Sequence, residues 1–325
     1  MRVSRERLFS ESGATGFRAE LLEKVFHLLG LLEGFRSHPF LGERFVLKGG
    51  TALNLFLFQV PRISMDIDLN YVGDWRAELM VAERGAIEGA VEAVCSREGL
   101  TVRRKPEEHA STNWSLRYES AMGGGGDLEI DLNFMFRTPL WGSQVLDSHR
   151  VGSYSVKGVP VLDMHELAAG KLTALFGRRN SRDLLDVHRL LTTGNLNRER
   201  LRLAFVVYVA GQRWDWRDAS PDLLVFNVDE FERNLVPLMQ RSFFASKREM
   251  IDFGVRLVEE CQNSLDAVLP FLAEEREFLR RLSEHGEINA SLLTTDGDLA
   301  LRITRHPLLN WKALNVRRHR GRESS

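Results

Sequence analysis

An α+β fold is predicted for the first half of this 325-residue chain, and a mainly helical fold for the second. Three observations carry the prediction. Residues 45–71 pair short β-rich runs with a glycine-led helical pattern. Strand-like runs in which acidic and apolar side chains alternate recur as far as residue 136. Beyond about residue 160 the apolar residues fall almost wholly into helical spacing. The expected division is therefore a domain with a small mixed sheet over residues 1–160, followed by a helical domain with a basic tail over residues 161–325.

The elements follow in order. From about Gly16 to Phe35, Leu21, Leu22, Val25, Phe26, Leu28, Leu29 and Leu32 recur at helical spacing. "RFVLKGG" is a short buried strand closed by a glycine turn. "TALNLFLF" is a helix, with Thr51 placed to cap it. "MDIDLNYV" alternates as a strand does. "AELMVAERGAIEGAVEAVCSREG" is a long helix closed by Gly99. "LTVRRK", "NWSLRYES" and "DLEIDLNFMF" are strands, with Gly123 to Gly126 as a flexible hairpin tip. "DMHELAAGKLTALFGRR" is a helix whose Asp163 and Glu166 fit a capping box, and "SRDLLDVHRLL" is a second. Helical patterns then dominate, including the run from Lys247 to His285. The closing stretch, "RITRHPLLNWKALNVRRHRGR", reads as basic and irregular.

Composition narrows the function. Hydrophobic residues make up 43% of the chain, enough for a substantial core, and the formal net charge is -1. No global field steers such a chain to nucleic acid or membrane, so any nucleic-acid contact must come from a local patch. Cys95 and Cys261 lie far apart and form neither a metal-ligand pair nor a disulfide framework. The N-terminus is charged with no apolar stretch behind it, and "LNLFLF" is too short to span a bilayer. A cytoplasmic protein is expected, with no membrane association and no DNA partner. His109, His149, His165 and His188 form no metal-type cluster and are expected to be ordinary surface or core residues.

One constellation stands out. Asp66 and Asp68 are one residue apart on a strand, so they share a face at about 7 Å spacing while Ile67 and Leu69 turn to the core. Two carboxylates that close repel unless a cation sits between them. Mg²⁺, or Mn²⁺ in its place, suits such a pair, taking one or two carboxylates together with substrate phosphates. A third carboxylate would complete a two-metal arrangement. "DLEIDLNF" offers Asp131, with Glu129 in reserve. Gly49 and Gly50 end a strand and open a helix, where backbone N–H groups favour phosphate oxygens. Thr51 could bond a phosphate as well as cap the helix.

"KGGTAL…PRISMDIDL" resembles the nucleotidyltransferase signature of the DNA polymerase beta superfamily. It is most similar to the AbiEii/AbiGii toxin family of type IV toxin–antitoxin and abortive-infection systems. "HELAAGKLTALFGRRNSRDLLDVHRLL" resembles that family's second block, and "HPLLNWKALNVRRHR" its tail; the likeness covers most of the chain and is strongest from Phe45 to Leu191. Two departures from the wider superfamily are the longer gap between Thr51 and Asp66 and the threonine where serine is usual. The resemblance implies a polymerase-beta-like nucleotidyltransferase domain. It implies that Gly49, Gly50, Thr51 and Ser64 hold a nucleoside triphosphate, and that Asp66, Asp68 and Asp131 bind Mg²⁺. It implies that Lys171 contacts the triphosphate and that Asp183 supports catalysis.

The expected reaction moves a nucleoside monophosphate from an NTP to an acceptor. The family implies a tRNA 3′ end or another RNA as that acceptor, with a cognate antitoxin protein as partner. The alternatives are a protein or small-molecule acceptor, or a non-catalytic NTP- or RNA-binding protein. Residue chemistry adds to this at three places. Lys171 lies beside an apolar stripe of Leu167, Ala168, Ala174 and Leu175, where it can either snorkel to solvent or face a leaving pyrophosphate. Asp183 and Asp186 share a helix face and can pair with Arg178, Arg179 or Arg182. The basic tail, with Arg302, Arg305, Lys312, Arg317, Arg318, Arg320 and Arg322 around Trp311 and His306, suits single-stranded nucleic acid.

Overall fold

The computed structural model describes residues 3–59, 62–104 and 110–323; Lys105, His109 and Pro61, named within the predicted strands and motifs above, lie outside them. The chain forms two compact units, neither continuous in sequence. The first comprises residues 1–137, 143–162 and 235–245, and the second residues 138–142, 163–234 and 246–325.

The first unit opens with helices α1 (Arg5–Thr15), which the sequence patterns do not announce, and α2 (Ala19–Ser37). Strand β1 (Phe45–Lys48) runs directly into a helical run from Gly49 to Leu57. Its first part is α3 (Gly49–Ala52), and its second widens to a π-helix (Leu53–Leu57). Then come β2 (Ile67–Tyr71), α4 (Ala77–Arg97), β3 (Thr101–Arg104), β4 (Ser111–Glu119), β5 (Gly125–Asn133), β6 (Gln144–Leu146) and β7 (Val159–Val161). The sheet is mixed, with order β3-β4-β5-β2-β1-β7-β6. The glycine run behaves as expected only in part. Gly123 and Gly124, both at positive φ, form the hairpin tip, whereas Gly125 and Gly126 already pair with Glu119 and Tyr118 in the strand.

The period-2 pattern decides which face of the sheet is dry. Ile67, Leu69, Ile130 and Leu132 are all buried. Leu69 and Leu47 line one small cavity with Leu32 and Phe35 of α2. Burying each such side chain contributes about 1.5–3 kcal/mol, which fixes the register and leaves Asp68 and Asp131 on the opposite face. A segment from far along the chain completes this unit. Ile63 donates its N–H to Leu238 O at 2.9 Å, and Arg62 bridges Met239.

The second unit is helical: α5 (Met164–Arg178), α6 (Ser181–Thr193), α7 (Arg198–Ala210), α8 (Val228–Asn234), α9 (Lys247–Ser264), α10 (Ala273–Arg280), α11 (Gly297–Arg305) and α12 (Pro307–Glu323). The tail is therefore ordered as two helices rather than irregular. Leu309 and Ala313 are fully buried and anchor α12. The run from Lys247 to His285 breaks after α9, where a 3₁₀ turn (Leu265–Ala267) and Pro270 intervene. Phe176, Phe205 and Phe271 stack through the middle of the unit.

Asp163 caps α5 as expected, accepting the N–H of His165 at 2.9 Å, but Glu166 is not its capping-box partner. Glu166 is buried and turned inward. It accepts the N–H of Trp141 and the hydroxyl of Tyr208, each at 3.1 Å. Burial drives its carboxyl up to about 7, against the hydrogen bonds from Trp141, Leu140 and Tyr208, which favour the anion. The folded-state value lies above the ordinary 4.5, so the folded protein holds an extra proton between the two. Stability from this group is complete below about pH 4.5 and is lost as pH rises through 7. Urea unfolding at a series of pH values is expected to show that decline in the wild type and to show it flattened by about 3 kcal/mol in Glu166→Gln.

Candidate nucleotidyltransferase site

The site in the first unit is built on one row across the sheet. Asp68 has Lys48 as its partner on the antiparallel β1 and Asp131 as its partner on the parallel β5, and Asp131 in turn faces Asn113 on β4. Cross-strand partners share a face, so two carboxylates stand side by side on β2 and β5, an arrangement that is repulsive by itself. Lys48 lies at the other flank of Asp68, with Nζ 4.0 Å from Oδ1. Lys48 belongs to the glycine motif, which by itself gives it no role. Its signal was its place in the strand, opposite an acidic position.

The glycines are explained by what closes on them. Gly49 has φ +73°, in the left-handed region, and a Cβ there would lie 2.1 Å from Asp68 Oδ2. A Cβ on Gly50 would lie 2.8 Å from Ser64 Oγ and 3.4 Å from Arg62 Nη2. The glycine pair therefore lets Asp68, Ser64 and the buried Arg62 pack against the start of the helix. No local motif marks Arg62; only the fold brings it beside Gly50.

Thr51 is placed differently from expectation. The helix starts at Gly49 with Lys48 in the N-cap position, so Thr51 does not cap it. Thr51 is fully buried, and its hydroxyl donates to the carbonyl of Asp66 at 2.6 Å. It holds the main chain just ahead of β2, where Asp66 is exposed. Asn54 donates to Gly50 O at 2.8 Å and steadies the same turn from within.

Among the described residues no three His, Cys, Asp or Glu side chains converge as a ready-made metal cage. The donors nevertheless fit a hard divalent ion. Half-buried carboxylates at Asp68 and Asp131 offer oxygen on one face, while Asp66 lies ahead of β2 rather than within it, so strand alternation does not place it on that face; Mg²⁺ needs only one or two carboxylates when phosphate oxygens complete its shell.

The second unit holds another charged cluster. Arg179 in left-handed conformation ends α5, and the Asn180 side chain caps α6 by accepting the N–H of Asp183 at 2.8 Å. This tight turn folds α6 back on α5 and brings Lys171 to both of its acids. Lys171 Nζ lies 3.0 Å from Asp183 Oδ1 and 2.8 Å from Asp186 Oδ2. Arg178 Nη2 is 3.0 Å from Asp183 Oδ2, close enough for an ion pair though not aligned as a hydrogen bond. The Lys171 side chain is only 12% exposed, so it is held by carboxylates and does not snorkel to solvent.

A family model, that of the AbiEii nucleotidyl transferase toxin of type IV toxin–antitoxin systems, matches residues 30–269. The chain belongs to this family. As an AbiEii-family member it is a nucleotidyltransferase toxin, and the match spans both the glycine–DxD region and the Lys171–Asp186 region. No curated protein matches it. Among solved structures it is similar to MenT4, a nucleotidyltransferase toxin of Mycobacterium tuberculosis H37Rv, at 18% identity and a TM-score of 0.61, covering 97% of this chain and 100% of that one. This likeness establishes the shared fold.

Two outcomes follow for the AbiEii-family site. Gly49→Ala forces the Asp68 carboxylate aside and is expected to lower nucleotidyl transfer about 100-fold, with only about 1–2 kcal/mol lost in urea unfolding. Lys171→Met leaves two buried carboxylates facing each other and is expected to destabilise the protein by about 3–5 kcal/mol by the same measurement.

Proposed function

We propose that this AbiEii-family toxin transfers a nucleoside monophosphate from an NTP to the 3′ end of a tRNA or another RNA in the cytoplasm, in a Mg²⁺-dependent reaction that blocks translation. The observation that carries this reading is the seat of Asp68. Its carboxylate lies against the Gly49 backbone and beside Asp131, where a strand opens into a helix. Asp66, Asp68 and Asp131 would hold the ion; when bound, it would neutralise the triphosphate and polarise the α-phosphoryl group. Gly49, Gly50 and Ser64 would receive the phosphates at the start of the helix. Thr51 would act through Asp66, whose main chain it fixes. Asp131 would accept the proton of the attacking hydroxyl, and Lys171 would bear, in the second unit, the role that the family resemblance gives it, with Asp183 holding its ammonium. Positioning and charge stabilisation supply most of the rate in such a reaction. A type IV system supplies a cognate antitoxin as the partner that restrains the toxin.

Incubation with α-labelled NTPs, Mg²⁺ and total RNA is expected to place label on RNA. Asp66→Asn should abolish the labelling, and a chelator should do the same. Label on protein or on a small molecule instead would overturn the RNA acceptor while leaving nucleotidyl transfer intact.

A further inference from the structure

The second unit contains a cleft that the transfer reaction does not use. At the end of α7 the chain turns at Gly211 into residues 212–217. These residues, with Val209, Leu279, Ser283 and Lys312 of α12, enclose about 210 Å³. Gly211 is needed because a Cβ there would lie 2.2 Å from Leu308 Cδ2, so α12 presses directly on the turn. Trp216 meets Phe271 edge to face, and Trp214 rests on Phe176, so both indoles are held by the core. The Trp216 ring N–H is buried with no acceptor among the described residues.

The cations of the cleft divide into two kinds. Arg217 is satisfied: it pairs with Asp215 and Glu284 and lies over the Trp216 ring. Lys312 is half-buried and donates to Gln212 O at 2.9 Å, and no described carboxylate lies within 4.0 Å of it. Burial lowers its pKa, offset only in part by the field of Asp215. Arg213 is exposed, again with no described carboxylate within 4.0 Å. A half-buried ammonium with only the field of Asp215 and no carboxylate in contact is costly, and an anion entering the cleft would supply a contact charge.

We propose that this cleft binds a nucleotide unit, with its phosphate between Lys312 and Arg213 and its base against the tryptophan-lined wall. A bare phosphate would satisfy the cations but leave the part-exposed indoles of Trp214 and Trp216 uncovered. A base stacked on aromatic surface would cover them. The shared chemistry could come from a free nucleotide or from one residue of a single-stranded RNA. The surroundings favour RNA. Along α12 beyond Lys312 come Arg317 and Arg318, both exposed and without a described carboxylate within 4.0 Å, and the exposed ring of Trp311 lies one residue before it. The RNA assignment rests on the acceptor reading above, whereas the cleft's affinity for a nucleotide does not.

The test uses the full chain without NTP, so that it reads binding whether or not transfer occurs. A fluorescein-labelled single-stranded oligoribonucleotide and a fluorescent nucleoside monophosphate are titrated into wild type, Arg213→Glu, Lys312→Gln and a control, Arg248→Glu, on α9. The expected result is a roughly five- to tenfold loss of RNA affinity in the first two variants. The salt dependence should fall by about one for Lys312→Gln, with wild-type behaviour in the control and unchanged thermal melting in all. Loss of monophosphate binding with RNA binding unchanged keeps the cleft and assigns it to free nucleotide. Unchanged binding of both probes, or an equal loss in the control, overturns the proposal.

Discussion

The first unit depends on keeping a carboxylate against a glycine backbone. Asp68 sits in the sheet between Lys48 and Asp131, and its Oδ2 occupies the place where any side chain at position 49 would begin. Like charges on neighbouring strands repel, and the sheet tolerates the pair because the opposite face is held by Ile67, Leu69, Ile130 and Leu132. The dry face fixes register; register then forces the acids together on the other face. A cation between them is the natural resolution of that repulsion, and the divalent ion of the proposed reaction would supply it.

The second unit handles charge in the opposite way. Lys171, Asp183 and Asp186 are packed between helices and neutralise one another at 2.8–3.0 Å. Breaking such a cluster strands a buried charge, so it ties α5 to α6. Glu166 follows a third course: buried with hydrogen-bond donors and with no cation within 4.0 Å among the described residues, it holds a proton near neutrality. The Lys312 ammonium falls between these cases, half-buried and served only by a carbonyl.

Much of this could be read from residues in order. The Ile67–Leu69 and Ile130–Leu132 alternation placed the acids on one face, and the Gly–Gly pair marked the strand-to-helix turn. Local pattern failed where a distant neighbour decides. Thr51 looked like a cap because threonine before an apolar run usually is one, yet the carbonyl of Asp66 takes its hydroxyl. Glu166 looked like the second half of a capping box, yet Trp141 and Tyr208 draw it inward. The basic tail looked irregular because its charges mask a short apolar stripe, Leu309 and Ala313, whose burial makes it helical. His109 lies outside the described residues, and His165 proved to be a core residue bonded to Asp163.

The sequence by itself determined the fold class, the acidic face and the family, because those rest on periodicity and on short motifs whose spacing is local. Only the tertiary structure decided that Gly49 makes room for Asp68, that Arg62 and Ser64 close on Gly50, that Leu238 and Met239 pin the loop ahead of the acids, and that Lys171 spends its charge on Asp183 and Asp186. Each of those facts is a meeting of side chains or backbone separated along the chain. Such meetings are set by packing and closest approach, quantities that a linear pattern does not contain.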